Sequence, residues 1–176
     1  MIAAVVLAAG AATRFGSAKQ RVLLPRVLER VRAAASLDDV VVVLGAHEVE
    51  TDARTVCCPD WERGPGASLR CGLAALADDV EAAVVVLADG PDLAHEAIDR
   101  VVEAWRARGD EVVAATYGGQ RLHPVLVARS SWADIPDEGL RSVPAAAVAC
   151  DDLTPPGDVD TPAELRRRRG RIGHQT

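Results

Sequence analysis

Short unbroken apolar runs alternate along the chain with stretches in which apolar residues return every three or four positions. Ile2–Leu7, Val40–Leu44 and Ala82–Ala88 contain only Ala, Val, Leu and Ile. Such runs, bounded by turn residues, predict strands covered on both faces. Thr55–Cys58, Val112–Thr116, Val125–Ala128 and Ala145–Cys150 are further strand candidates, and Gly118-Gly119 predicts a tight hairpin turn. Pro25–Ala35 sets Val27, Leu28, Val31 and Ala34–Ala35 on one face with arginines opposite, which predicts a helix with Pro25 in its first turn. His47–Arg54 predicts a short helix. Gly66–Ala77 aligns Leu69, Leu73 and Leu76; Ala94–Arg108 buries Ile98, Val101, Val102 and Trp105 and ends at Gly109. Thr161–Arg169 predicts a closing helix, with Thr161 as N-cap and Pro162 at the first helical position.

Strands alternating with helices predict an α/β fold, a sheet with helices on both faces. The hairpin makes the sheet mixed, though mostly parallel. The 176 residues suit one domain, drawn over residues 1–170, with 171–176 as a mobile tail that includes His174.

Composition narrows the picture. Aromatics are 3% of the chain, so its core is built from Ala, Val and Leu. The net charge is −6, although Arg166 to Arg169 and Arg171 cluster near the C-terminus, so the rest is more acidic still. An acidic body disfavours nucleic-acid binding. The arginine cluster reads as a solvated helix end. No apolar run is long enough to cross a bilayer. The apolar N-terminus lacks the positive segment that precedes a secretory signal, so a buried first strand is expected. The four cysteines, Cys57, Cys58, Cys71 and Cys150, have no zinc-ligand spacing and read as reduced thiols of a cytoplasmic protein, with Cys71 a small core residue. Trp105 and Trp132 read as packing residues.

In open α/β sheets ligands bind beyond the carboxyl ends of the strands, and two such ends carry candidate chemistry. The first runs from Leu7 through Ala8, Ala9 and Gly10 to Arg14 and Lys19. Small residues let backbone N–H groups approach an anion. Lys19 is the only lysine in the chain, and beside Arg14 it suggests a phosphate clamp. Taken alone, the loop reads equally as a plain turn with two solvated cations; it is neither a Walker A motif nor GxGxxG. The second end is Leu87-Ala88-Asp89-Gly90-Pro91, where Asp89 is placed to hold Mg²⁺ or simply to cap a turn. A third group is Asp158-Val159-Asp160-Thr161-Pro162, whose two carboxylates fall on one side of an extended segment or near a helix start. Together, a cationic loop and two carboxylate sites describe a centre for a metal-bound nucleoside triphosphate.

These motifs resemble the MobA-like NTP transferases, particularly the molybdenum-cofactor cytidylyltransferase branch. The opening LAAGxxxRxGxxK is matched by Leu7 through Lys19. A Trp-Gly-Ser-Leu segment resembles Trp61 to Leu69, LADxP resembles Leu87 to Pro91, HPV matches His123-Pro124-Val125, and DxDTPxEL matches Asp158 to Leu165. The resemblance implies a three-layer α/β/α nucleotidyltransferase that moves a nucleoside monophosphate from an NTP to a phosphorylated acceptor, such as a molybdopterin-type cofactor, and releases pyrophosphate. It implies that Leu7, Ala8, Ala9 and Gly10 meet the base and ribose with Gly64 and Ser68. Arg14 and Lys19 would bind the triphosphate and act in catalysis with Asp89. Asp89 and Asp160 would hold Mg²⁺, with Asp158 secondary. His123 would lie near the acceptor or serve structure. CTP is the first choice, because the opening is LAAG and not LAGG; GTP stays open. The chain departs from the family pattern in a shortened Lys19–Pro25 segment, in Gly90 where glutamine is usual, and in Leu122 where glycine is usual.

Two other classes fit parts of the same pattern. One is a non-catalytic nucleotide-binding chaperone or regulator with a molybdoenzyme partner. The other is an oxidoreductase or glycosyltransferase on a similar scaffold. The missing GxGxxG weighs against a dinucleotide enzyme.

Overall fold

The computed structural model describes residues 1–10 and 19–157, with 19 and 20 described at the backbone only. In chain order the elements are β1 (Ile2–Ala8), α1 (Lys19–Ala33), β2 (Asp39–Leu44), β3 (Arg54–Cys57), α2 (Pro65–Ala74), β4 (Ala82–Leu87), α3 (His95–Arg108), β5 (Val112–Tyr117), β6 (Gln120–Ala128) and β7 (Ala146–Ala149). The strands form one seven-stranded sheet in the order β3-β2-β1-β4-β6-β5-β7. β1 pairs in parallel with β2 and β4. β6 is antiparallel to both β4 and β5, and β7 is parallel to β5. The mixed α/β sheet follows the sequence pattern. Gly118 (φ 56°) and Gly119 (φ 78°) make the hairpin, since a two-residue turn with both φ positive matches the twist of its strands.

Alternation along β1 divides the core. Ile2, Ala4, Val6 and Ala8 face one layer, with Leu24, Val27 and Val31 of α1 and Ile98, Val101 and Val102 of α3. Ala3 and Val5 face the other, with Leu69 and Leu73 of α2. Small side chains let α2 come close: a Cβ on Gly72 would stand 2.6 Å from Val5 and 2.6 Å from Val43.

Three local expectations are corrected. α1 begins at Lys19, so Pro25 lies inside it. Leu23 and Leu24 are buried and carry the apolar stripe back past the proline, which sits on the exposed face. The bond that Pro25 cannot donate leaves the Arg21 carbonyl on the solvent side. His47–Arg54 forms no helix. Only Val49 is buried there, and Thr51 Oγ1 accepts the Ala53 N–H at 3.2 Å, a local bond that competes with helix. Trp105 is half-buried rather than buried.

The cysteines are a fourth correction. Cys58 and Cys71 form a disulfide, with Cα atoms 5.7 Å apart, so the expectation of reduced thiols holds for Cys57 and Cys150 alone. α2 packs across β1, β2 and β3, which brings a residue on the helix over the end of the edge strand, a proximity that sequence spacing does not display. The expected closing helix Thr161–Arg169 and the tail 171–176 lie outside the described residues.

Candidate active site

Parallel pairing sets the site. Leu7 of β1 stands opposite Leu87 of β4, and Ala88 N–H donates to the Leu7 carbonyl at 3.0 Å. The two strands therefore end level, and Ala8-Ala9-Gly10 and Ala88-Asp89 emerge side by side. Beyond them α2 begins at Pro65, with its N-cap Gly64 at φ 130°. Proline suits this first position because its missing N–H has no helical acceptor there. Ser68, one turn in, is buried.

These residues enclose a first cavity of about 390 Å³, lined by Leu7, Ala8, Ala9, Gly10, Gly64, Ser68 and Asp89, with Trp61, Glu62 and Pro65. Seven positions expected from the sequence thus share one space. Trp61 stands in a 3-10 turn, Trp61–Arg63, and lies against Gly45, where a Cβ would be 2.7 Å from its ring.

The start of α2 is fixed from outside. Gly66 N–H donates to the Asp137 carbonyl at 2.9 Å, and a Cβ at Gly66 would overlap the Pro136 carbonyl. Asp137 takes hydrogen bonds from Arg70 and, at 3.1 Å, from Arg63. The Arg70 bond, then the Arg63 bond, hold its carboxyl below the usual range. The segment around 135–143 is thereby strapped to the helix that frames the first cavity.

On the other side of that strap lies a second cavity of about 860 Å³. It shares Leu7, Pro65, Leu87 and Asp89 with the first, so the two meet at Asp89. His123 and Arg121 of β6, Glu138–Ser142 of the strap and Pro155–Gly157 complete its wall. His123 Nδ1 is 3.2 Å from the Val85 carbonyl, and its bond to Pro124 is cis. Burial pushes the imidazole's pKa down, against the Val85 carbonyl and the Asp89 charge, which favour the proton. The ring is neutral at pH 7.

The second acidic cluster reaches the site only in part. Asp92 N–H donates to the Pro156 carbonyl at 3.0 Å, and a Cβ at Gly90 would be 3.1 Å from Pro156 and 3.4 Å from the Gly157 carbonyl. The chain leading to Asp158 therefore rests on the Asp89 turn, and Gly90 keeps that turn clear of Pro156, where a longer side chain would crowd it. Arg14, Asp158, Asp160 and the side chain of Lys19 lie outside the described residues; the Lys19 backbone opens α1. Among the described residues no group of three or more His, Cys, Asp or Glu could hold a metal. Asp89 offers one hard oxygen ligand at the junction of the cavities. That fits Mg²⁺, which takes one or two carboxylates and completes its shell with phosphate oxygens and water.

Residues 4–149 match the model of the MobA-like NTP transferase domain. The chain belongs to this family. Among curated proteins it is 31% identical over 131 residues to the bifunctional protein GlmU of Cutibacterium acnes, a match spanning 66% of this chain and 31% of GlmU. Among solved structures it is similar to the Mycobacterium sp. strain JC1 homologue of Mycobacterium tuberculosis Rv0371c, with a TM-score of 0.80 and 24% identity over 99% of this chain and 98% of that one. It is also similar to the manganese complex of Rv0371c from M. tuberculosis, at 25% identity and a TM-score of 0.74 over 94% of this chain and 96% of that one. Residues 4–149 are thus a MobA-like NTP transferase domain, and the sheet order places both cavities where such sheets bind ligands. No helix among the described residues is long and apolar enough to cross a membrane.

Sequence reasoning left Trp61, Glu62 and Pro65 without a role in the first cavity and missed Arg121, Arg141 and the strap in the second. One signal was present: Arg121 stands opposite Thr116 and Val125 opposite Ala114, on one face of β5, although the register shifts between the two pairs.

Proposed function

We propose that the protein transfers a nucleoside monophosphate from CTP or GTP to a small phosphorylated acceptor of the molybdopterin type, in the cytoplasm, with release of pyrophosphate. The observation that carries this reading is the pair of cavities that meet at Asp89. One is walled largely by backbone and small residues, with Trp61 and Glu62 beside them; the other is larger and holds His123, Arg121 and Arg141.

In this reading Leu7, Ala8, Ala9 and Gly10 present backbone groups to the base and ribose, with Gly64 and Ser68 opposite. Arg14 and Lys19 hold the triphosphate and stabilise the charge that grows on it. An acceptor phosphate oxygen attacks the α-phosphorus, and the bond to the β-phosphate breaks as pyrophosphate leaves. The attacking group is already an anion, so no general base is required. His123, neutral and between the acceptor space and Asp89, orients the acceptor. Asp89 and Asp160 are the ligands for Mg²⁺, which when bound neutralises phosphate charge. The backbone on the Asp89 turn just before Asp158 supports that pairing, and the manganese complex of Rv0371c supports a divalent ion.

A thermal-shift screen of CTP, GTP, ATP and UTP, each with and without Mg²⁺, tests the reading, because a ligand of the native state raises its apparent stability. CTP or GTP with Mg²⁺ is expected to give the largest rise, and the rise is expected to shrink without the ion. No rise with any of the four contradicts it.

A further inference from the structure

The wall of the first cavity that faces the strand ends comes from one short stretch of chain. Trp61, Glu62, Gly64, Pro65 and Ser68 all line it, and all five fall inside the loop closed by the Cys58–Cys71 disulfide, whose ends are 13 residues apart. The two arms of this loop are held in different ways. From Pro65 onward the chain is α2, seated on the sheet by buried Leu69 and Leu73 and tied to the strap through Gly66 and Arg70. The arm 59–64 buries no residue of its own. Its backbone bonds, Arg63 N–H to Asp60 and Gly64 N–H to Trp61, are internal. The Arg63–Asp137 ion pair is open to solvent, where such pairs contribute little. Beyond the contact of half-buried Trp61 with Gly45, the disulfide is the main tie of this arm to the fold among the described residues. Its two sulfurs differ in access: Cys58 is buried and Cys71 half-buried. The Ala67 carbonyl, 3.6 Å from Cys58 Sγ, is placed to accept a thiol hydrogen there. In the cytoplasm, where thiols are kept reduced, a disulfide is usually a redox sensor or a catalytic bond and not a permanent staple.

We propose that the Cys58–Cys71 disulfide is a redox switch on the first cavity: the oxidised chain binds the nucleoside triphosphate, and the dithiol form, its 59–64 arm released, binds it weakly. This is regulation of the site assigned to the nucleotide above and rests on that reading. The electron donor is a dithiol reductant. One of its thiolates attacks Cys71 Sγ, the sulfur open to solvent; the S–S bond breaks, and Cys58 leaves with the electron pair and takes a proton. The reductant's second thiolate then attacks the reductant sulfur now bonded to Cys71. Cys71 leaves as a thiolate that takes up the second proton, and the reductant departs as a disulfide. Two electrons and two protons have entered the chain, and an oxidised disulfide donor runs the same exchange backward. Cutting the clip frees the arm from α2 but not α2 from the sheet or the strap. The fold therefore stays, and Trp61, Glu62 and Gly64 are no longer fixed in the cavity wall.

The test compares the full chain after oxidised glutathione and after dithiothreitol. Alkylation in denaturant is expected to label Cys57 and Cys150 alone in the first form and all four cysteines in the second. Calorimetry with CTP and with GTP, each with Mg²⁺, is expected to show at least tenfold weaker binding of the preferred nucleotide after reduction. The double variant Cys58→Ser, Cys71→Ser is expected to bind as weakly as the reduced wild type in either condition. Cys57→Ser, which removes the exposed free thiol, is expected to switch like the wild type. Hydrogen exchange, read without nucleotide, is expected to quicken across 59–64 on reduction and to stay unchanged across the strap at 135–143. Four free thiols after oxidised glutathione, equal nucleotide affinity in the two forms, or equal exchange across 59–64 overturns the proposal. If the oxidised chain binds neither nucleotide, the nucleotidyl-transfer reading fails, and the exchange comparison alone decides whether the disulfide governs the arm.

Discussion

The two cavities that meet at Asp89 are built in opposite ways. The first is made where parallel strands end, and backbone, alanine, glycine and a buried serine form much of its wall, beside Trp61, Glu62 and Pro65. The second lies beside the antiparallel part of the sheet, and side chains carry its chemistry: His123 and Arg121 on β6 and Arg141 on the strap. The first owes its shape to the level ends of β1 and β4, a property of strand register. The second owes its shape to contacts between segments far apart in the chain, such as Arg70 with Asp137 and Arg121 with Val143. A space set largely by strand ends suits a constant ligand, whereas one set by side chains is free to take a different acceptor with a few substitutions.

That contrast is most strongly tested at the point that serves both cavities. Gly66→Ala places a methyl group against the Pro136 carbonyl, and overpacking of this kind costs about 3 kcal/mol. Urea denaturation should show that loss, together with weaker binding in both cavities. Reduction of the Cys58–Cys71 disulfide frees the clip between the end of β3 and α2. A loop of this size predicts a loss of about 2–3 kcal/mol, measured by urea denaturation with and without reductant, with the first cavity more affected than the second.

A smaller effect belongs to the second cavity alone. The His123 pKa in the folded chain lies below its value of 6.5 in the unfolded one, so below about pH 6.5 the unfolded chain takes up the proton first. Stability should therefore fall as the pH drops from 7 toward 5. His123→Asn should flatten that slope in thermal melts across the range. The smallest effect is at Asp137, half-buried and held ionised by Arg70 and Arg63. Its depressed pKa gives stability that is present above the ordinary carboxylate range and lost as pH falls through the folded value. Asp137→Asn should remove a small part of the acid sensitivity between pH 4 and 2 and leave melts at pH 7 nearly unchanged.

Legibility from sequence divides along the same line. The buried runs Ile2–Leu7, Val40–Leu44 and Ala82–Ala88 became adjacent parallel strands, because a run apolar on both faces has few other places to go. Ala8, Ala9, Gly10 and Asp89 could then be placed together, since each directly follows a strand. The start of α1 was misplaced because Pro25 is a strong local signal, whereas Leu23 and Leu24 reveal their burial only against the sheet. The partnership of Cys58 with Cys71 depends on how α2 crosses β3. The strap had no periodicity to read. Its part in the second cavity comes from bonds such as that between Arg63 and Asp137, which are 74 residues apart. Arg121 went unread as well, because its place depends on the register shift between β5 and β6 and on its bond to Val143.

Pyrophosphate release from CTP or GTP with Mg²⁺ and a phosphorylated pterin acceptor, measured for the wild type, Lys19→Ala and Asp89→Ala, tests the account most directly. The wild type should release pyrophosphate, and both variants should lose that release while keeping the wild-type circular dichroism spectrum. Turnover at the wild-type rate in either variant would contradict the assignment of triphosphate to Lys19 and metal to Asp89.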